Sequence, residues 1–448
     1  MTRPWISLPE DRGRFLIGSL AAFRAAPHRF PMDLAEHYGG MARFHILGRR
    51  FLAVTDPDAI AAILNQPDVF VRGAQYRNIQ EVVGRGLLVT DGALWRERRP
   101  LLNPLFRADR LRQVIAITQS AMQGLLDEWE QAGARGDTVE IGRAARTLTI
   151  TVMARTLLSH DLEADQIERL SQLIHTSMQR MRERNISLWN PPFWVPVRRN
   201  RDLQTASRFL RDLLAVEIGS PQAGQNGGRD NLLAALASLR EAATGQPLSS
   251  AALIDELRSL FVAGFETTSA ALAWTVWRLA KHPEWARLWQ AEVDALPTSG
   301  PFTLDQLKKL PRTEQILQES LRLHPPVYTL SRVAQRDTEV GGYRIPRGTM
   351  AIVSIYGLHR SPRFWADPLA FRPERFATAN PNPQHWIPFG AGPHLCIGMA
   401  FALLELKTAL TMLGQRFRLT LVDDRDPEER AEISLSPGSA IPLRLEPR

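Results

Sequence analysis

The chain has 448 residues, 44% of them apolar, with 55 Lys and Arg against 47 Asp and Glu and a formal net charge of +8. That length and apolar content allow a sizeable core and argue against global disorder. One cysteine excludes a disulfide framework and any Cys-rich zinc or iron–sulfur site and fits a reducing cytosol, while dispersed arginines with no nucleic-acid motif point to an acidic protein partner and away from nucleic acid.

The longest apolar run near the N-terminus, Phe15 to Phe23, contains Gly18 and Ser19. It falls far short of the roughly 20 residues a membrane span needs, and no cleavable signal precedes it. A cytoplasmic protein without a transmembrane anchor is expected. Residues 41–55 predict a hairpin around Gly48, and Asp56-Pro57-Asp58 predicts the cap of a short helix through Leu64. Residues 71–86 are weakly periodic and hold three glycines, which predicts a loop. A helix opens after Asp91 and stops near Pro104. Trp95 and Arg99 share one face of it, and read alone they belong to an ordinary solvated basic helix.

From 110 to 218 the pattern is helical, with breaks at 133–137, around His160 and at 190–196. The last break carries Ile186, Leu188, Trp189, Pro191, Pro192, Phe193 and Trp194 between flanking arginines. Either this patch packs under its own loop, or it is a mobile lid making weak contact with a lipid surface. Residues 219–228 are rich in Gly, Gln and Ser and read as flexible. A helix of about 30 residues then spans 250–281, apolar nearly all round from Leu260 to Trp274, so it should run through the core. Inside it lie Ala263, Gly264, Glu266 and Thr267. Glycine costs such a helix about 1 kcal/mol against alanine, and a buried acid costs more. Such a liability points to function, or else to an acid paired with a distant arginine.

Thr303 is placed to cap a short helix, and another begins near Pro311 with Glu319 and Arg322 on one face. Leu323-His-Pro-Pro326, Arg332, a strand pair at 340–345 and 348–353, and Phe371-Arg-Pro-Glu-Arg375-Phe376 follow. Last comes Phe389-Gly-Ala-Gly392-Pro-His394-Leu-Cys396-Ile-Gly398, running into a helical pattern. Glycines before the sulfur allow positive φ and close approach to a flat ligand, and Gly398 leaves room after it. At the start of a helix the cysteine should favour thiolate. A lone cysteine is otherwise usually a small buried hydrophobe.

The stretch Phe-x-x-Gly-x-x-x-Cys-x-Gly resembles the haem-binding loop of the cytochrome P450 monooxygenases. Ala263-Gly264-x-Glu266-Thr267 resembles that family's oxygen-activation motif, and Glu319, Arg322 and Arg375 resemble its structural triad. Together the motifs cover roughly residues 91–448 in family order. The resemblance implies a mainly helical triangular prism with a small β-rich lobe, spanning 1–448 as one haem domain with no fused reductase. It implies haem b, with Cys396 as axial thiolate and iron ligand, Phe389 shielding the sulfur, and Gly392 and Gly398 making space. Trp95, Arg99, Arg332 and His394 (where most members carry Arg) would hold the propionates. Ala263 and Gly264 would lie where the helix loosens beside the iron, and Glu266 and Thr267 would relay protons to dioxygen.

The implied reaction inserts one oxygen atom of O2 into a C–H or C=C bond of a medium-to-large apolar substrate, such as a fatty acid, terpenoid or steroid. Electrons from NAD(P)H would come through a separate ferredoxin or flavodoxin with its reductase, steered by Arg96, Arg98, Arg107, Arg110 and Arg112. The protein is expected to be a monomer, and its wording at 319–376 is closer to the microsomal-like branch. The pocket should be lined by 72–88, 178–194, 261–267, 327–330 and 436–441. A peroxygenase or isomerase needing no reductase is a rival reading, opposed by the intact Glu266-Thr267 pair. A haem protein that only binds is another.

Overall fold

The computed structural model describes residues 2–73, 75–158, 161–187, 189–219, 232–240, 245–377 and 382–448. Its axle is the helix Ser250–Lys281, about 48 Å long at 1.5 Å per residue. The Ser249 hydroxyl caps it, accepting from the Ala252 amide at 3.2 Å. Pro283 ends it, because a proline ring disfavours the α conformation in the residue before it. Every residue from Thr268 to Trp277 is buried. Trp274, Trp277 and Leu279 share one apolar cluster with Leu148 and Val152 of the helix Ile141–Leu157 and with Leu406, Leu410 and Leu413 of the helix Met399–Arg416. This places the helix after the cysteine beside the C-terminal third of the axle.

Helices Ala108–Ala134, Ala164–Ile186 and Arg198–Gly219 complete the helical body. Their breaks fall close to those read from the sequence. His160, Leu188 and residues 220–228 lie outside the described residues. The β lobe is a six-stranded sheet in the order Glu10–Asp11, Met41–Ile46, Arg49–Val54, Met350–Ser354, Thr329–Ala334, Phe70–Arg72. It joins the N-terminal hairpin to strands some 300 residues later, so the fold is mainly α with a small β-rich lobe.

Three local expectations change. Residues 71–86 are not all loop: Gln75–Val83 is a helix between Gly73 and Gly84, with Ile79, Val82 and Val83 buried on one face. The strand pair at 340–353 splits. Gly341 and Gly342 take positive φ and turn a small hairpin of Thr338–Val340 and Tyr343–Ile345, while Met350–Ser354 joins the large sheet. The central helix runs unbroken through Gly264. A Cβ there would stand 2.7 Å from Met153 Sδ, so close packing of two helices accounts for that glycine.

Candidate active site

The cysteine loop is shaped by two turns. Gly390 and Gly392 have φ of +75° and +70°, and a Cβ on Gly392 would stand 2.6 Å from the Leu64 carbonyl. The Cys396 amide donates to the Phe389 carbonyl at 3.0 Å. The Phe389 ring meets Trp386, whose indole donates to the Gln318 carbonyl at 3.1 Å, tying the loop to the helix Pro311–Leu323. Cys396 is enclosed by protein yet accessible, as a side chain lining an internal cleft must be. Gly398 meets no atom within 4 Å of where a Cβ would stand. The helix begins at Met399 with Gly398 as its cap, three residues after the sulfur. Burial pushes the Cys396 thiol up, although the Gly398 amide and Arg99 pull it down. The thiolate bias read from the sequence is thus reversed in the protein alone.

The central helix has one open face. Leu260, Ala263, Gly264, Glu266 and Thr267 are partly accessible amid buried neighbours. Ile397 and Phe401, on either side of Gly398, pack against the cluster holding Phe261 and Phe265, so helix and loop flank the same interior region. The Thr267 hydroxyl donates to the Ala263 carbonyl at 2.8 Å. Glu266 Oε1 accepts from Ser434 Oγ at 2.7 Å, and burial pushes its carboxyl up. Thr268 is buried.

A cationic cradle lies beside the loop. Arg72 donates to Asp91 by its amide at 2.7 Å and by Nη1 at 2.9 Å, and Nη1 also reaches the Thr90 carbonyl. His394 Nε2 stands 3.4 Å from Asp91 Oδ1, close but not aligned as a hydrogen bond, and its ring lies 4.2 Å from that of Trp95. Burial and the nearby Arg72 and Arg332 push His394 down, so it is neutral near pH 7. Arg99 hydrogen-bonds Asn103 at 2.9 Å. Arg332 is buried, pairs with Arg72 across the sheet, and hydrogen-bonds the Ser331 carbonyl. Arg72, Arg99, Arg332 and the neutral His394 thus lie in one region, where Asp91 is the one carboxylate paired with any of them among the described residues.

Glu319, with no exposed side-chain area, accepts from Arg322 Nε at 2.7 Å and Nη2 at 2.8 Å, Arg375 Nε at 3.1 Å and the Arg372 amide at 2.8 Å. Arg322 also donates to the carbonyls of His359, Pro368 and Ala370. The three side chains share one buried network.

The cytochrome P450 family model matches residues 9–442. This chain belongs to the cytochrome P450 family. A cyclooctat-9-en-7-ol 5-monooxygenase of Streptomyces melanosporofaciens is 28% identical to this P450 over 93% of this chain and 90% of its own. The chloroplastic protein LUTEIN DEFICIENT 5 of Arabidopsis thaliana is 29% identical over 95% of this chain and 74% of its own. A crystal structure of the cytochrome P450DA haem domain matches with a TM-score of 0.88 at 26% identity, covering all of this chain and 98% of that one. The chain is a cytochrome P450 monooxygenase, of a family that uses haem with a cysteine thiolate ligand, O2, separate redox partners and hydrophobic substrates.

The residues of this P450 fit that haem. Its one cysteine lines the cleft, Gly398 opens the space beside it, and the excess of buried positive charge around Asp91 matches two propionates. Arg72 belongs to this cradle and was missed by motif reading; its register opposite Arg332 exists only in the sheet. Ser434 and Glu432, at the tip of the C-terminal hairpin, were also missed, since the expected lining began two residues later at Ser436.

Two surface expectations divide. In the 186–194 loop Trp189 and Trp194 are 67% and 79% exposed. Pro191 is buried, and Phe193 lies under Arg184, whose guanidinium is 3.7 Å from the ring centroid. Asn200 further pins the loop by donating to the carbonyls of Pro192 and Val195 at 2.8 and 2.9 Å. Of the five proposed docking arginines, Arg98 is buried, Arg110 is half-buried and Arg96 pairs with Asp68 at 2.5 Å, while Arg107 and Arg112 are exposed. Among the described residues no helix is long and apolar enough to cross a membrane.

Proposed function

We propose that Cys396 would ligate the haem iron as its thiolate, that Phe389 would shield the sulfur, and that Arg72, Arg99, Arg332, Trp95 and His394 would hold the propionates. When bound, haem supplies activation of O2 and delivery of one oxygen atom to the substrate. The protein's part is to bind, orient and provide protons. Arg332 has no carboxylate partner among the described residues, and a buried cation so placed is unfavourable until an anion arrives. On the central helix, Ala263 keeps the open face low, and Gly264 lets the helix pack closely on Met153. Thr267 presents a hydroxyl there, and Glu266 holds a proton further toward neutral pH than a free carboxylate does.

The substrate reading is a medium-to-large apolar molecule hydroxylated or epoxidised within the cleft. The partly accessible apolar side chains of Leu260, Ala263 and Ile397 support it, as does a relative named a cyclooctat-9-en-7-ol 5-monooxygenase. Electrons would come from an acidic ferredoxin or flavodoxin docking near Arg107 and Arg112, and a reducing cytoplasm suits the single thiol.

The observation that carries the reading is the lone cysteine in its glycine-shaped loop, near the buried Arg332, which has no carboxylate partner among the described residues. The test is the reduced carbonyl complex of the purified protein, whose Soret band should show the red shift of thiolate ligation. Cys396→Ser should lose it, and a histidine-type spectrum in the parent would overturn the assignment. NAD(P)H-coupled product formation with a surrogate ferredoxin system separates a monooxygenase from a protein that only binds haem.

A further inference from the structure

The C-terminal hairpin, Glu429–Ala431 paired with Leu435–Pro437, turns through Glu432, Ile433 and Ser434 beside the central helix. Ser434 is 2% exposed, and its contact with Glu266 joins residues 168 positions apart. The tip is held from several sides. The Glu432 amide donates to the Ser434 carbonyl at 3.0 Å, and Tyr328 Oη donates to the Glu432 carbonyl at 2.7 Å. Trp274 Nε1, two turns along the helix from Glu266, donates to the Leu435 carbonyl at 3.1 Å, and the Leu435 amide donates to the Pro326 carbonyl at 2.8 Å. At the base, the Glu429 carboxylate accepts from Tyr356 Oη at 2.8 Å, Arg29 at 2.9 Å and Arg360 at 3.0 Å.

A hydroxyl mounted on so fixed a turn cannot follow a mobile acid, so the acid must come to it. Among the described residues Ser434 makes the one hydrogen bond to the Glu266 carboxyl, through Oε1, leaving Oε2 without one in a side chain that is partly accessible. We propose that Ser434 is a positioning residue for proton delivery: it pins Oε1 of Glu266 and thereby turns Oε2, the oxygen that exchanges the proton, toward the open face shared with Thr267. This rests on the reading of Glu266 as the proton-carrying acid.

The charged groups around the pair are Arg146, on the helix Ile141–Leu157, facing Glu266, and Arg182, Arg430 and Glu266 facing Glu432. Burial and the Glu266 charge push Glu432 up to about 7. A change at Ser434 that alters the charge on Glu266 is therefore also felt at Glu432.

The test uses the holoenzyme in two assays. Without turnover, infrared titration follows the protonated carboxyl stretch that disappears in Glu266→Gln. Ser434→Ala should move that band to higher frequency, through loss of a donor to the carboxyl oxygen, and raise its titration midpoint. Ser434→Thr, which keeps the donor, should restore both. In turnover, product formed per NAD(P)H should fall several-fold in Ser434→Ala and recover in Ser434→Thr, with substrate-induced spectral change intact in both. An unmoved band in Ser434→Ala overturns the contact. A moved band with full coupling, in a protein that Glu266→Gln uncouples, overturns the positioning role and leaves Glu266 standing. Full coupling in Glu266→Gln overturns the role of Glu266 and the proposal with it.

Discussion

Glu319→Ala tests the physics of the buried triad most directly. The substitution removes the one carboxylate paired with Arg322 among the described residues, and the Arg322 side chain has no exposed area. Three carbonyls at 2.6, 2.7 and 3.2 Å would still accept from Arg322, but its Nε would lose its acceptor and its charge the carboxylate that compensates it. Breaking a buried pair from one side costs about 3–5 kcal/mol. Whole domains are stable by about 5–15 kcal/mol, so the loss is a large share of the total. Arg375 adds less, since its side chain is 13% exposed and can turn toward water. Glu319→Gln keeps an acceptor oxygen for the Arg372 amide and should fall between parent and alanine variant.

The assay is urea unfolding followed by far-ultraviolet circular dichroism, with free-energy differences taken from midpoints at a common slope. Haem content after purification is the second readout. Glu319→Ala should lose haem, while Glu266→Ala, which sacrifices one hydrogen bond to Ser434, should retain it. An alanine variant within about 1 kcal/mol of the parent, or equal haem content in the two, refutes the reasoning.

Thr267→Ala should leave NAD(P)H consumption running while product per NAD(P)H falls several-fold and hydrogen peroxide rises to match, since a positioned proton donor is worth on the order of 10²-fold in such a step. Thr268 is buried, so Thr268→Ala should stay coupled; the reverse pattern moves the role one position along. Arg332→Ala should speed haem transfer to a scavenging apoprotein, and an unchanged rate would remove Arg332 from the cradle. Glu405 is fully buried with neither carboxyl oxygen hydrogen-bonded, and burial holds its pKa well above the carboxylate range. An acid raised on folding has no effect at low pH, where both states hold the proton. Above about pH 4.3 the unfolded chain releases its proton first, and stability falls by up to about 1.4 kcal/mol per pH unit until the folded pKa is reached. Glu405→Leu should therefore unfold at higher urea than the parent, by a margin that grows from pH 5 to pH 8; a pH-independent margin contradicts the assignment.

Much of this protein is legible from neighbours along the chain. The ends of the helix Ser250–Lys281 follow from a serine cap and a terminal proline. Leu304–Lys308 follows from the Thr303 capping box, and the turns before Cys396 from Gly390 and Gly392. Each depends on interactions within a few residues, which spacing records. The helix Gln75–Val83 escaped because its two flanking glycines are local signals for a loop, and burial of Ile79, Val82 and Val83 in a distant cluster overrides them. Trp95 and Arg99 share a helical face by periodicity alone, but that Arg98 turns inward is decided by what packs against the helix.

The polar contacts that tune the site belong to the tertiary structure. Arg72 meets Arg332 through sheet register, Glu319 meets Arg375 across 56 residues, and Ser434 meets Glu266 across 168. A sequence shows which side chains can ionise or donate. Which of them are deprived of water, and which partner then compensates them, depends on chain segments that only folding brings together.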